Sequence, residues 1–336
     1  MVKAGALAPL ALAALMIPLA IAMGVASAWA KPGPPGDGLL VVVSFPNLAD
    51  DLALLLCPDD QVISIVPSGA DPHDYQLTPG DVELLRRADL VVSTAHTPFE
   101  TEIRRLHDEG EIGARLVEVP FIPGMRILTN PATGQPNYHM PIYDPGNYRV
   151  FLLFLGHVLA ELRPERAQDY LLRASEAVRA LDELVSSTPT LNMVAVADLP
   201  FAQYAVSWLG LEVRFLLVKE HGVPATPSDI KAIEEGMSKG QIRLAVVCEP
   251  VELSASRELE GMAKSRGVPV LYVPSPVAPG SILAKLAQIS ERARAIKENM
   301  SAGGGVTPSP EHCLALATAL LALLALSGVV VLYARG

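Results

Sequence analysis

Cysteine is scarce in this chain: Cys57, Cys248 and Cys313 are the three among 336 residues, and no two form a C-x-x-C pair. That excludes a disulfide framework and a thiolate metal cage. A Cys57 to Cys248 bridge and two buried free thiols both stay open, the second being the simpler. Positive charge is also short, with 26 Lys and Arg against 36 Asp and Glu, a net charge of −10 and no basic block. Nucleic acid is therefore excluded as a partner, whereas a cation suits the balance. The catalytic signatures H-E-x-x-H, G-x-S-x-G and the phosphate-binding P-loop are absent as well, so nothing marks an enzyme.

Long apolar runs are present at both ends. Lys3 precedes an Ala/Leu/Ile/Met stretch that reaches Ala28-Trp29-Ala30 before "KPGPPGDG". A positive start, an apolar run and a small-x-small site predict a secretory signal peptide over residues 1–30. An uncleaved anchor is the alternative, weakened by Pro9 and Pro18. "CLALATALLALLALSGVVVLY", Cys313 to Tyr333, carries no charge, and at ~1.5 Å per residue it reaches about 31 Å, the depth of a bilayer core. A single-pass transmembrane anchor is expected over 311–333, after a Gly/Ser/Pro-rich tether at 301–310. Arg335 would lie at the cytoplasmic end, which places the working part on the extracellular side of the cell membrane.

The intervening 260 or so residues fit two domains or one large one. Apolar β-rich runs occur at Leu39 to Phe45, Gln61 to Val66, Asp89 to Ser93 and Arg115 to Val119. They recur at Met193 to Asp198, Glu212 to Val218, Arg243 to Cys248 and Pro269 to Val273. Runs apolar on both faces that alternate with helical segments mark parallel strands covered on both sides. The expected fold is α/β, with an N-terminal lobe at 38–145 and a C-terminal lobe at 190–300, each a four-stranded parallel sheet flanked by helices. Between them, 146–187 has Ala167, Tyr170, Ala174, Ala177, Leu181 and Leu184 at alternating steps of three and four. This predicts a long linker helix, bent or restarted at Pro164.

The two lobes share a local signature. "HDYQLTPGDVELL" and "HGVPATPSDIKAI" each place His five residues before Thr-Pro-x-Asp. Thr78 and Thr226 suit the helix cap, Pro79 and Pro227 the first turn, and Asp81 and Asp229 the capping box. Such a start is common by itself; the shared histidine offset is not. If an approximate twofold relates the lobes, His73 and His221 face one another across the cleft.

The chain resembles the zinc/manganese-type (cluster A-I) solute-binding proteins of metal-ion ABC transporters. The residues carrying the resemblance are "VVVSFPNLADDLALL", "GADPHDYQLTPGDVELLRRADLVV", "NYHMPIYDP", "YAVSWLGLE", "TPSDIKAI" and "VVCEPVELSASRELEGMAKSRGVPVLYV", in order through nearly all of the region between the ends. The resemblance implies two α/β lobes joined by a rigid helix, with a metal held in the cleft. It places the first metal ligand at His73 and the second at His139. The third falls at Asp198 in "VADLPFAQY". The family's fourth ligand aligns with Ser275, so that carboxylate is missing here.

Divalent transition metals need imidazoles and carboxylates that converge at about 2.0 to 2.2 Å, usually four for zinc. The candidate metal set is His73, His139, Asp198 and His221. Glu249 at a strand end and Asp71 beside His73 are further candidates. His96 reads as a polar residue of a loop at the cleft rim, His107 and His157 as helix residues, and His312 as a neighbour of the membrane. The expected function is capture of Zn2+ or Mn2+ and delivery to an ABC permease and its ATPase. Its rivals are a surface metallohydrolase using the same histidines, with Glu249 activating water, and a two-lobed adhesion module that has lost transport.

Overall fold

The computed structural model describes residues 38–70 and 73–303. The expected signal peptide, most of the tether, the membrane span, Asp71 and His312 lie outside the described residues. Among the described residues no helix is long and apolar enough to cross a membrane.

The first lobe alternates β1 (Leu40–Val43), α1 (Pro46–Ala53), β2 (Gln61–Ser64), α2 (Pro79–Arg87), β3 (Leu90–Ser93), α3 (Pro98–Asp108) and β4 (Arg115–Glu118). Its strands are all parallel, in the order β2-β1-β3-β4. Two helices follow, α4 (Pro145–Leu162) and α5 (Ala167–Ser187). The second lobe then runs through β5 (Met193–Ala197), α6 (Ala202–Ser207) and β6 (Leu211–Leu216). A small hairpin of β7 (Val218–Glu220) and β8 (Val223–Pro224) leads to α7 (Pro227–Ser238), β9 (Leu244–Glu249), α8 (Ser254–Ser265), β10 (Val270–Pro274) and α9 (Ile282–Gly303). The second sheet is also parallel, β10-β9-β5-β6. Read from the edge of each lobe's second strand, both sheets have the order second, first, third, fourth, so the two lobes share one topology.

All eight expected strands are present, because the central ones have no solvent-facing side. Along β1, Val41 and Val43 enter the large core shared with α1, α4 and α5, whereas Val42 turns to a second core under α2 and α3. Along β5, Ala195 and Ala197 take the shared core and Val196 the core under α7 and α8. Alternation thus fills two apolar layers per sheet, as a covered parallel sheet requires. Cys57 and Cys248 are both buried and free.

The linker differs from a single long helix. After α4, Arg163 leaves the helical region (φ −138, ψ 78), Pro164–Arg166 forms a 3-10 turn, and the chain reverses. Arg149 near the start of α4 pairs with Asp182 near the end of α5, so the helices run antiparallel. Gly156 allows the approach: a Cβ there would lie 2.7 Å from that of Ala174. Proline lacks the donor needed to continue α4, and the two apolar stripes then bury each other instead of extending end to end. Helix α5 spans the two lobes. Tyr170 donates to Asp60 of the first lobe at 2.8 Å, and at the other end Thr188 meets Ser290 of α9 at 2.6 Å. The start of α9 meets α1 directly, where the Ile282 N–H donates to Asp51 at 2.7 Å. Helix α9 itself extends through Gly303, into the segment expected to be tether.

Candidate metal centre

In open parallel sheets ligands gather beyond the carboxyl ends of the strands, where the strand order reverses. Here those ends are the β1 and β3 exits in one lobe and the β5 and β9 exits in the other. They face a single cavity of about 530 Å³. Phe45, His96, Phe201 and Pro250 reach it from those four exits, and Ser275 from the end of β10.

Four histidines line it. His73 stacks on His221 with ring centroids 4.1 Å apart and meets the edge of His96 at 5.8 Å; His96 lies 4.2 Å from His139. Glu220 completes the group, with Oε2 3.4 Å from His139 Nε2. Of the predicted ligands, His73, His139 and His221 therefore come together. Asp198 does not line the cavity: it is fully buried, and Oδ2 accepts from Cys248 N and Ser256 Oγ, both at 2.7 Å. At the buried end of β5 that carboxylate ties β9 to α8, and burial raises its pKa. Its other oxygen has no hydrogen-bond partner among the described residues. Glu249 is likewise drawn away, to Arg292 at 2.6 Å.

His96 and Glu220 were not in the predicted set. The signal for His96 was its place just beyond β3, the strand beside β1 at the switch point. Glu220 carried only its adjacency to His221. Each is held by neighbours that the linear pattern does not display. The buried Glu100 carboxylate accepts from the backbone N–H of Thr94, His96 and Thr97 at 2.6 to 3.0 Å, which folds the His96 loop around one charge. Asn130 donates to Glu220 Oε1 at 3.0 Å and to the Lys219 carbonyl at 2.8 Å, aiming Oε2 at His139.

His139 is oriented by Asn137. The Asn137 amide nitrogen donates to the Pro200 carbonyl and to Gln203, both at 3.0 Å, so its oxygen is the acceptor. That oxygen lies 3.0 Å from His139 Nδ1, which must carry the proton. Nε2 is left with its lone pair toward Glu220 and the cavity, as in metal-ligating histidines whose other nitrogen donates outward. Ala95 and Met140, beside His96 and His139, adopt left-handed backbone (φ 54 and 51), uncommon without glycine and typical of sites held in place by their surroundings.

A scan against family models matches residues 41–289 to ZnuA, described as zinc-uptake complex component A, periplasmic. The chain belongs to the ZnuA family. Members of this family are solute-binding proteins, not enzymes, so the hydrolase reading is set aside. A "putative metal-binding protein" of Thermotoga maritima is 26% identical over 208 residues, covering 60% of this chain and 72% of that one. The "manganese-binding lipoprotein MntA" of Halalkalibacterium halodurans is 27% identical over 171 residues, 51% of this chain and little more than half, 55%, of the relative's own length. Among solved structures, the solute-binding protein FpvC of Pseudomonas aeruginosa in complex with Mn2+ has a TM-score of 0.64, covering 78% of this chain and 99% of FpvC at 18% identity. That likeness is one of fold.

Within this ZnuA-family cavity burial favours the neutral form of His96 and His139. Burial, then the neighbouring rings of His96, His73 and His221, lowers His139 to about 3. Burial and then His73 lower His96 too, against the opposing pull of Glu100. A neutral ring is the form that coordinates metal. Among the described residues no group of three or more His, Cys, Asp or Glu stands in a ready-made metal-binding arrangement. The four rings share a cavity without closing a cage.

Proposed function

We propose that this protein captures a divalent transition metal in the cavity between its lobes, using His73, His96, His139 and His221 with Glu220. Asp198 supports the wall instead of donating. The protein then works as an extracytoplasmic binding protein that delivers its cargo to an ABC permease and its ATPase. A leader at 1–30 would export it and an anchor at 311–333 would tether it to the outer face of the membrane. The observation carrying this reading is the convergence of four imidazoles, from both halves of the chain, beyond the carboxyl ends of two matching sheets. Four nitrogen donors and one carboxylate suit zinc better than manganese, which prefers oxygen ligands.

Calorimetric titration of the metal-free chain with Zn2+ and Mn2+, beside His96→Ala and His221→Ala, tests it. One-to-one zinc uptake that exceeds manganese and weakens in both variants is expected. No uptake of either metal would overturn metal capture, and loss in only one variant would shrink the donor set.

A further inference from the structure

Given the metal-capture reading, we infer that Asp51 and Lys285, one from each lobe, are positioning residues for the metal site. They form a buried charge pair that fixes the spacing of the lobes at the foot of the cavity, and neither touches the cargo.

Lys285 is the one buried lysine among the described residues, 2% exposed. Its ammonium donates to the carbonyls of Pro276 at 2.8 Å and Ala278 at 2.6 Å. Ser275, Pro276 and Val277 line the metal cavity, so the lysine holds part of its wall from behind. Tyr143, four residues after His139, secures the same stretch by donating to the Pro274 carbonyl at 2.8 Å.

Across the lobe boundary stands Asp51, fully buried on α1, the helix that starts at the cavity beside Phe45. Its Oδ1 accepts from the Tyr148 hydroxyl and from the Ile282 N–H at the start of α9, both at 2.7 Å. Lys285 follows Ile282 by three residues, which puts both on one face of α9. Asp50 accepts from the Gly280 N–H, and a Cβ at Gly280 would lie 3.9 Å from Lys285 Cε. The end of the lysine and the two aspartates thus gather around one turn of the second lobe.

Each member of the pair has bonding capacity to spare. An ammonium carries three N–H donors, of which two go to carbonyls, and Asp51 Oδ2 has no hydrogen-bond partner among the described residues. One donor and one acceptor are left for each other or for a water between them. Burial raises the pKa of Asp51 and lowers that of Lys285, while each charge draws the other back toward its ionised form. Tyr148 and Asp50 also face Asp51, and Cys248, whose thiol burial keeps protonated, faces Lys285. Removing one member leaves an uncompensated charge in the interior. His96 and His139 belong to the side that carries Asp51, and Glu220 and His221 to the side that carries Lys285. A pair that fixes one side against the other fixes the distance over which the metal is held.

The test is calorimetric zinc titration of the full-length protein beside Lys285→Met, Asp51→Asn and the double variant, with Arg163→Met as reference. Arg163 pairs with Asp59 and Asp60, just before β2 at the opposite end of the first sheet, so its loss lowers stability away from the cavity. Each single substitution should weaken zinc about tenfold, the double no more than either, and Arg163→Met less than about twofold. In 15N NMR spectra of the unsubstituted protein, zinc should also shift the ammonium signal of Lys285, a reading that stands even where a variant fails to fold. Unchanged affinity in the single variants, additive loss in the double, or an ammonium signal blind to zinc would overturn the positioning role and leave metal capture standing. Absence of zinc uptake by the unsubstituted protein would overturn both.

Discussion

The two histidine-bearing segments begin their helices in nearly the same way and deliver their histidines differently. At α2, Thr78 N–H donates to Asp81 Oδ2 at 2.8 Å and Asp81 N–H to Thr78 Oγ1 at 3.2 Å. At α7 the corresponding distances, Thr226 to Asp229 and back, are 2.7 and 3.3 Å. Upstream the likeness ends. In the first lobe Tyr75 donates to Asp81 at 2.9 Å and packs on Phe99, seating the His73 loop on the lobe's own core. In the second, Lys219 pairs with Asp229 at 2.6 Å, and His221 sits at the exposed tip of the β7–β8 hairpin, where Gly222 (φ 72) makes the turn. A capping box fixes where a helix starts; the segment before it fixes where the histidine goes. The first lobe and its exit segment also supply His96 and His139, the rings whose pKa burial lowers, while the second contributes donors from a thin hairpin.

The largest break in this comparison is His139→Ala. Loss of an outer-sphere partner alone typically costs 10 to 100-fold in metal affinity, and a direct donor costs no less, so zinc affinity should fall by at least about 100-fold in calorimetry. Asn137→Leu, which frees the tautomer while keeping Nε2, should fall within that 10 to 100-fold range.

A second prediction concerns pH. His139 is lowered from 6.5 to about 3, so the unfolded chain takes up its proton first as pH falls. Between those values the unfolded state binds more protons, and stability must decline as pH drops from 6.5 toward 3, being fully present above 6.5. Chemical denaturation of metal-free protein at pH 7 and pH 4.5 should show that decline, and His139→Phe should flatten it. An unchanged slope would assign the pH dependence to other groups.

His221→Ala should weaken zinc by roughly tenfold, less than His139→Ala, because the hairpin tip is exposed and its ring must be ordered on binding. Equal losses in the two variants would mean that the hairpin is as fixed as the first-lobe loops. The smallest effects belong to the shared helix starts. Thr78→Ala and Thr226→Ala should each cost about 1 kcal/mol in denaturant titrations. Lys219→Met should touch only the second, by at most about 1 kcal/mol for this half-buried pair. It should also release Asp229, which Lys219 and then the Thr226 bonds hold at about 2, visible as an upward shift in an NMR titration.

Much of the fold was legible because its signals are local. Strands buried on both faces read as unbroken Val, Leu and Ala runs, and prolines at first turns announce α1, α2, α3, α4 and α7. The helical hairpin was half legible: Pro164 marks the break, but a stripe of apolar residues does not say whether it will meet a partner lying alongside or continue beyond. Antiparallel packing depends on Gly156 opposite Ala174, a pairing across 18 positions that no period reveals. Asp198 shows the same limit at the site. Its position at a strand end suits a ligand, yet the backbone N–H of Cys248 and the Ser256 hydroxyl reach it first, from 50 and 58 residues away.

The sequence by itself determined the two α/β lobes, the helix starts, and the placement of His73, His139 and His221 in loops between elements, since hydrophobic period, capping and proline act within a few residues. Only the tertiary structure decided which polar groups share the cavity. It brought His96 and Glu220 in, turned Asp198 and Glu249 away, and held the His139 tautomer through Asn137. Those outcomes depend on strand order and on buried hydrogen bonds between residues far apart in the chain. A buried donor or acceptor must find whichever partner the assembled layers place beside it.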